Sequence, residues 1–395
     1  MKRSERVTAN QLPNDPGRGV PRVLLVDNAV ETSGGAKIVL DQVARGVDPS
    51  LFHLSVACLS DARRLQELQE FGLKADLVPM SRMRDVGNHL SLMKRLREIV
   101  RRDDVDLIHA NENSTLLHAS VLGRLTRKPV VWHVYDPFAT RRLSLKLSAG
   151  SWRALPPNGL IYGTQRAADH YASWFEKVPS SVVLPGVDVD RCRSGCGARA
   201  RKELGIPEHA LVVSSFGRVH PTKCQRNFVE CVARAQEEHP NLHGVICGSA
   251  ESPGYWRSLE ELRSRLGLDD SLHMPGFVPD QLKDDILAAS DAVIHLAKTE
   301  SFGLAVIEGM AAGKPVIAAS ASGPSSLIDD GVNGVLVGIG DVDGAASALR
   351  RLLGDPSERA RIGERASRSA DEHSLERMVN GVEQLWTEVL CRSTR

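Results

Sequence analysis

The chain lacks an excess of either charge: 50 Lys and Arg stand against 49 Asp and Glu in 395 residues, a formal net charge of +1. A protein held to nucleic acid by a basic surface fits that balance poorly, and no nucleic-acid partner is expected. Aromatic residues are scarce, with 5 Trp, 4 Tyr and 8 Phe. The cores must then be built from Val, Leu, Ile and Ala, which suits parallel sheets covered by helices on both faces. No apolar run approaches the roughly 18–20 residues that span a bilayer, leaving at most peripheral membrane contact. The seven cysteines, at 58, 192, 196, 224, 231, 247 and 391, contain no C-x-x-C pair. Residues 1–20, charged, polar and proline-bearing, have no apolar stretch of the kind a signal peptide needs and read as a mobile tail. A reduced, cytoplasmic protein is the expectation.

What is present is a repeated alternation of short apolar runs and longer segments with helical spacing. RVLLVD (22–27), HLSVACL (53–59), VDLIHA (105–110), KPVVWHV (128–134) and GLIYGT (159–164) read as strands of a first βαβ series. After the VVLPGVD turn (182–188) a second series follows: LVVSSFG (211–217), LHGVICG (242–248), LHMPGFV (272–278), AVIHLA (292–297), KPVIAAS (314–320) and GVLVG (334–338). At roughly 150 residues per domain, two α/β domains are expected. The first spans 21–185 and the second 186–373, and a closing helix within 374–395 returns to the first. Two such sheets facing one another imply a central cleft at the carboxyl ends of their strands, where phosphorylated ligands bind.

Two stretches carry chemistry on their own terms. Gly34 and Gly35 stand just before a helix, where small residues admit a phosphate to free N–H groups at the positive end of the helix dipole. The pattern is neither G-x-G-x-x-G nor a Walker A loop, so nicotinamide and P-loop readings are disfavoured. In TESFGLAVIEGMAAGKP (299–315), Glu300 precedes the turn Ser301-Phe302-Gly303-Leu304, and Glu308 sits two helical turns on within an otherwise apolar run. A carboxylate accepts two hydroxyl hydrogen bonds at once, which suits sugar diols and ribose. The N–H groups of the turn would face phosphate or sugar oxygens.

Glu300 to Glu308, with the flanking FG and the following EGMAAGKPVIA, resembles the E-x7-E signature of the retaining nucleotide-sugar-dependent glycosyltransferases of GT-B fold, specifically glycosyltransferase family 4 (group 1). The resemblance covers residues 21–390. It implies a GT-B fold of two Rossmann-like domains, with Glu300 on the donor sugar and Glu308 on the ribose. SFGRVHPTKCQ (215–225) is similar to the family's G-R-(x)n-K-G segment, which places Arg218 and Lys223 on the donor diphosphate; Cys224 stands where Gly is usual. Two fixed cations would neutralise a leaving diphosphate without a metal. MPGFVPD (274–280) resembles the stretch where backbone near Phe277 and Val278 reads the nucleobase. SGPSSLIDDGVNG (322–334) resembles the family's GG-x-x-E segment with Ser326 in place of Glu.

In the first half, the resemblance puts Gly34 and Gly35 near the donor phosphates. IHANENS (108–114) puts His109, Asn111 and Glu112 on the acceptor side, and VVWHVYDP (130–137) has Tyr135 where the family has His, with His133 two residues earlier. Either His133 or Tyr135 would approach the sugar or the acceptor, and a core role for His133 weighs equally. The resemblance therefore implies transfer of a hexose or N-acetylhexosamine, UDP-sugar favoured, with retention of configuration and with no cofactor and no metal. The acceptor expected is a small natural-product precursor. A lipid or polysaccharide acceptor stays open because KRLREIVRR (94–102) and TRRLSLKLSAGSWRAL (140–155) are basic, as does a non-catalytic sugar-nucleotide-binding role.

Overall fold

The computed structural model describes residues 6–8, 11–12, 19–28, 35–80, 86–135 and 153–394. These form two compact units, one of Met1–Gly186 with Leu375–Arg395 and the other of Val187–Ser374. Each unit is built on a single parallel sheet.

The sheet of the first unit comprises β1 (Arg22–Asp27), β2 (His53–Cys58), β3 (Lys74–Leu77), β4 (Leu107–Asn111), β5 (Val130–Val134), β6 (Gly159–Tyr162) and β7 (Ser180–Val182), in the order β3-β2-β1-β4-β5-β6-β7. β1 shows why an unbroken apolar run makes such a strand. Alternate side chains leave opposite faces, so Val23 and Leu25 enter one core with Val39, Val43 and Trp386, while Leu24 and Val26 enter the other with Leu96, Ala119 and Trp132. A face left in water would have needed polar residues at every second position.

The helix Leu375–Ser393 completes this unit. Its buried positions Met378, Val379, Val382, Leu385, Trp386 and Val389 follow helical spacing and join the core of Val23 and Leu25. It lies close enough that a Cβ on Gly159 would come within 2.6 Å of Val389. Val7, assigned by sequence to a mobile tail, is instead buried in this core, and its N–H donates to Asn380 Oδ1 at 3.2 Å. One apolar residue with a buried carboxamide partner is enough to dock this part of the segment.

The sheet of the second unit comprises β8 (Leu211–Phe216), β9 (Leu242–Cys247), β10 (Leu272–Gly276), β11 (Ala292–His295), β12 (Val316–Ala319) and β13 (Val335–Val337), in the order β10-β9-β8-β11-β12-β13. On one face Val213, Ile246, Ile294 and Ile317 meet Phe228, Leu349 and Leu352 from flanking helices. In both sheets the strand order reverses between the first and fourth strands, β1 beside β4 and β8 beside β11. The loops that leave this point diverge and open a crevice at the carboxyl ends of the strands. No helix among the described residues is long and apolar enough to cross a membrane.

Candidate functional site

In the second unit, the loops that leave β8 and β11 meet at the reversal. After β11 the chain runs through Lys298, whose N–H donates to Thr222 O at 2.9 Å, and ties the two loops together. The main-chain carbonyl of Glu300 accepts from the Gly323 N–H at 2.8 Å and from Ser322 Oγ at 3.1 Å. Gly323 must be glycine, because a Cβ there would lie 2.5 Å from Phe302 O. Phe302 is buried and sets its ring edge-on to His373. Gly303, in the left-handed region at φ +98°, then turns the chain into the helix Leu304–Ala311 that carries Glu308.

Glu300 Oε2 accepts from Lys223 Nζ at 2.6 Å and from His295 Nε2 at 3.0 Å. Burial is the largest single influence on this carboxyl and opposes ionisation. The His295 hydrogen bond and the Lys223 charge together outweigh it and hold the group at about 2. Glu300 is therefore a fixed carboxylate, with both of those donors on one oxygen.

Glu308 Oε1 accepts from Lys283 Nζ at 2.7 Å, and Arg191 Nη2 lies 3.7 Å from the same oxygen. Arg191 also faces Asp280 at 2.9 Å and Asp284 at 3.7 Å. Burial drives the Asp284 carboxyl up to about 6, against the pull of Arg191 and Lys283. Lys283 is itself raised above the usual lysine value, because attraction to Glu308 exceeds the cost of burial. The second carboxylate thus sits beside two cations, Lys283 and Arg191, which no local motif discloses.

Arg218 and Lys223, assigned by sequence to a diphosphate, both hold carboxylates. Arg218 Nη1 lies 2.8 Å from Glu251 Oε2, and its carbonyl accepts from Gln225 Nε2 at 2.8 Å. An ammonium carries three donors and a guanidinium five, more than one carboxylate contact uses. Cys224, in the place of a family glycine, adopts the glycine conformation at φ +54° and ends the short turn Pro221–Lys223 before the helix Gln225–Gln236. A left-handed non-glycine residue costs roughly 1–2 kcal/mol. Cys224→Gly should therefore leave thermal stability unchanged or raise it by up to about 1 kcal/mol after the greater unfolded-state entropy of glycine is offset, whereas Cys224→Val should lower it by about 1–2 kcal/mol. Denaturant melts of the three proteins check the order Gly, Cys, Val. Phe277 is 76% exposed and Val278 half-buried just past β10. Ser326 turns its hydroxyl back onto the Gly323 carbonyl at 2.7 Å.

In the first unit, Gly34 lies outside the described residues. Gly35 opens the helix Gly35–Gly46 in open space, with nothing within 4 Å of an added Cβ. His109 and His133 lie inside the sheet, for His133 the core role that the sequence reading weighed equally. Both are fully buried, and burial pushes His109 down to about 3 and His133 well below the usual histidine value. His109 Nδ1 accepts from Trp386 Nε1 at 3.0 Å. His133 stands edge-to-face with His109 and stacks on Tyr135 at 4.5 Å. The Nε2 atoms of both rings are buried and have no partner among the described residues. Asn111 is buried too, accepting from Tyr135 Oη at 2.8 Å and donating to Ala36 O at 3.3 Å. Glu112 and Tyr135 alone among the residues expected on the acceptor side keep partial exposure.

Sequence reasoning missed His295, Lys283, Arg191 and Glu251. His295 had a readable signal, a lone polar residue closing the apolar run AVIH. Lys283 had none, because its partner lies 25 residues away on another helix.

Residues 198–369 match the family model described as "Glycosyl transferases group 1", and residues 33–191 match "Glycosyltransferase Family 4". The D-inositol 3-phosphate glycosyltransferase of Salinispora arenicola (strain CNS-205) is 35% identical over 59% of this chain and 55% of that protein. The protein of the same name from Streptomyces avermitilis is 38% identical over 54% and 48%. The chain thus matches about half the length of these curated relatives. Among solved structures, Anabaena Alr3699/HepE in complex with UDP and glucose superposes with a TM-score of 0.79 at 22% identity, over 93% of this chain and 100% of that one. WaaG, a glycosyltransferase involved in lipopolysaccharide biosynthesis, gives 0.68 at 18%, over 92% and 98%. At these identities the structures show the fold, GT-B with two Rossmann-like parallel-sheet domains.

Proposed function

The chain belongs to the glycosyltransferases, its second half to group 1 and its first half to glycosyltransferase family 4, and from that premise we propose that it moves a hexose or N-acetylhexosamine from a nucleotide sugar to a small-molecule acceptor with retention of configuration. The observation that carries this reading is the pair of carboxylates at one helix start, each held by a lysine. Glu300 is held at its main-chain carbonyl and at one carboxylate oxygen, and Glu308 is held by Lys283. Glu300 would orient the sugar hydroxyls and Glu308 the ribose, with the turn at Ser301–Leu304 beside the phosphates and the backbone at Phe277 and Val278 beside the base. UDP is favoured over GDP because the Anabaena neighbour is complexed with UDP. The names of the relatives make D-inositol 3-phosphate the first acceptor to test.

In the reaction, the bond from the sugar anomeric carbon to the diphosphate oxygen breaks, and a bond to the acceptor oxygen forms on the same face. The acceptor proton passes to the departing diphosphate. No side chain serves as a nucleophile; catalysis rests on positioning and on charge stabilisation by Lys223 and Arg218. No cofactor and no metal enter this scheme, so turnover should be unaffected by EDTA, and complete loss on chelation that divalent ions restore would contradict it. A thermal-shift screen of UDP- and GDP-sugars tests the donor. A true donor at 100 times its Kd should add about 2.7 kcal/mol, and no stabilisation by any of them would overturn the proposal.

A further inference from the structure

We propose that His295 is a positioning residue for Glu300, holding one carboxylate oxygen so that the other faces the donor sugar. This rests on the reading of Glu300 as the sugar-contacting carboxylate.

His295 closes β11, an interior strand paired with β8 and β12, and is 4% exposed. Its Nε2–H donates to Glu300 Oε2 at 3.0 Å, the same oxygen that accepts from Lys223 at 2.6 Å. No described residue donates to Oε1. With two donors on Oε2 and the Glu300 carbonyl tied to Gly323 and Ser322, the carboxylate plane has little freedom to rotate, and Oε1 keeps its lone pairs for hydroxyl groups.

The two donors to Oε2 differ in kind. Lys223 carries its charge on a flexible four-carbon stem and lies in a short turn, so an arriving diphosphate can draw its ammonium away. The His295 imidazole is stiff and grows from a strand packed on both sides, so it cannot follow the ligand. If Lys223 turns to phosphate during the reaction, His295 is what remains to hold Glu300. The buried histidines of the first unit provide a contrast: the Nε2 atoms of His109 and His133 have no partner among the described residues, whereas that of His295 is committed to a carboxylate in the crevice.

The test compares binding of UDP with binding of UDP-glucose, or of whichever UDP- or GDP-hexose stabilises most in the screen, by calorimetry on the full chain. The ratio of the two Kd values isolates the sugar contact. His295→Asn is too short to reach Oε2 and should lower the preference for the sugar nucleotide roughly tenfold while leaving nucleotide affinity within about twofold. His295→Gln places an amide N–H where Nε2 was and should restore the preference to within about threefold. In a Glu300→Gln background, His295→Asn should add no further loss, a non-additivity that a purely structural role would not produce. A His295→Asn protein that keeps the wild-type ratio while Glu300→Gln abolishes it would overturn the proposal. A Glu300→Gln protein that keeps the ratio would instead overturn the reading of Glu300, and this proposal with it.

Discussion

Replacing Glu300 with Gln is expected to lower transfer by roughly 10²–10³-fold, the range seen when one fixed polar group is removed from a reacting centre, and to lower the melting temperature at neutral pH, where the ionised carboxylate stabilises the fold. Glutamine keeps an acceptor oxygen for His295 and Lys223 but loses the charge that draws hydroxyl protons to the free side. Glu300→Ala should lose activity at least as much and also lose stability, by about 1–3 kcal/mol, because it strands the half-buried Lys223 ammonium and the buried His295 N–H. The same carboxylate sets a pH dependence. Its folded-state value of about 2 lies below the ordinary 4.5, so its contribution to stability is fully present above about 4.5 and is lost as pH falls toward 2. Acid melts of wild type and Glu300→Gln should converge over that window, and a constant difference across it would argue that the carboxylate is not ionised in the folded protein.

Trp386→Ala should produce the largest loss of stability in the first unit. The indole is fully buried, edge-on to Phe52 at 5.3 Å and to His109 at 5.5 Å. Truncating such a side chain costs about 3–5 kcal/mol. The loss of its N–H also leaves His109 Nδ1 unpaired, for about 1–3 kcal/mol more. Trp386→Phe separates the two effects, retaining most of the ring burial and losing only the hydrogen bond. Because the chain forms two compact units, unfolding in denaturant should split into two transitions in Trp386→Ala, with the earlier one reporting the first unit. A single transition unmoved from wild type would contradict this account of the closing helix.

The strands were legible because buried parallel strands are nearly continuous apolar runs. RVLLVD coincides with β1, and all six runs of the second series form strands. β3 and β7 were not legible: KADL is partly polar and SSV only three residues long, and both lie at sheet edges, where one flank needs no apolar cover. At the site, Glu300 and Glu308 could be found because two carboxylates within nine residues share one helix start. Their pairings with lysines could not. Lys223 is 77 residues from Glu300, and Lys283 is 25 from Glu308, separations set by crossover helices rather than by local spacing. The burial of His109 and His133 was not legible for the opposite reason. A histidine near a strand end looks available in sequence, yet the indole of residue 386, far along the chain, covers one of them.

The row of contacts from Trp386 through His109, His133, Tyr135 and Asn111 to Ala36 also bears on the order in which the chain matures during synthesis. The first sheet leaves the ribosome early, but the helix that seals one of its cores is made only after residues 187–374 have been translated. At about 5–20 residues per second, that delay is about 10–40 s. Throughout it the apolar face of β1, β5 and β6 lacks its cover while the second unit is being made. This nascent half-domain is the stage at which a chaperone would matter most.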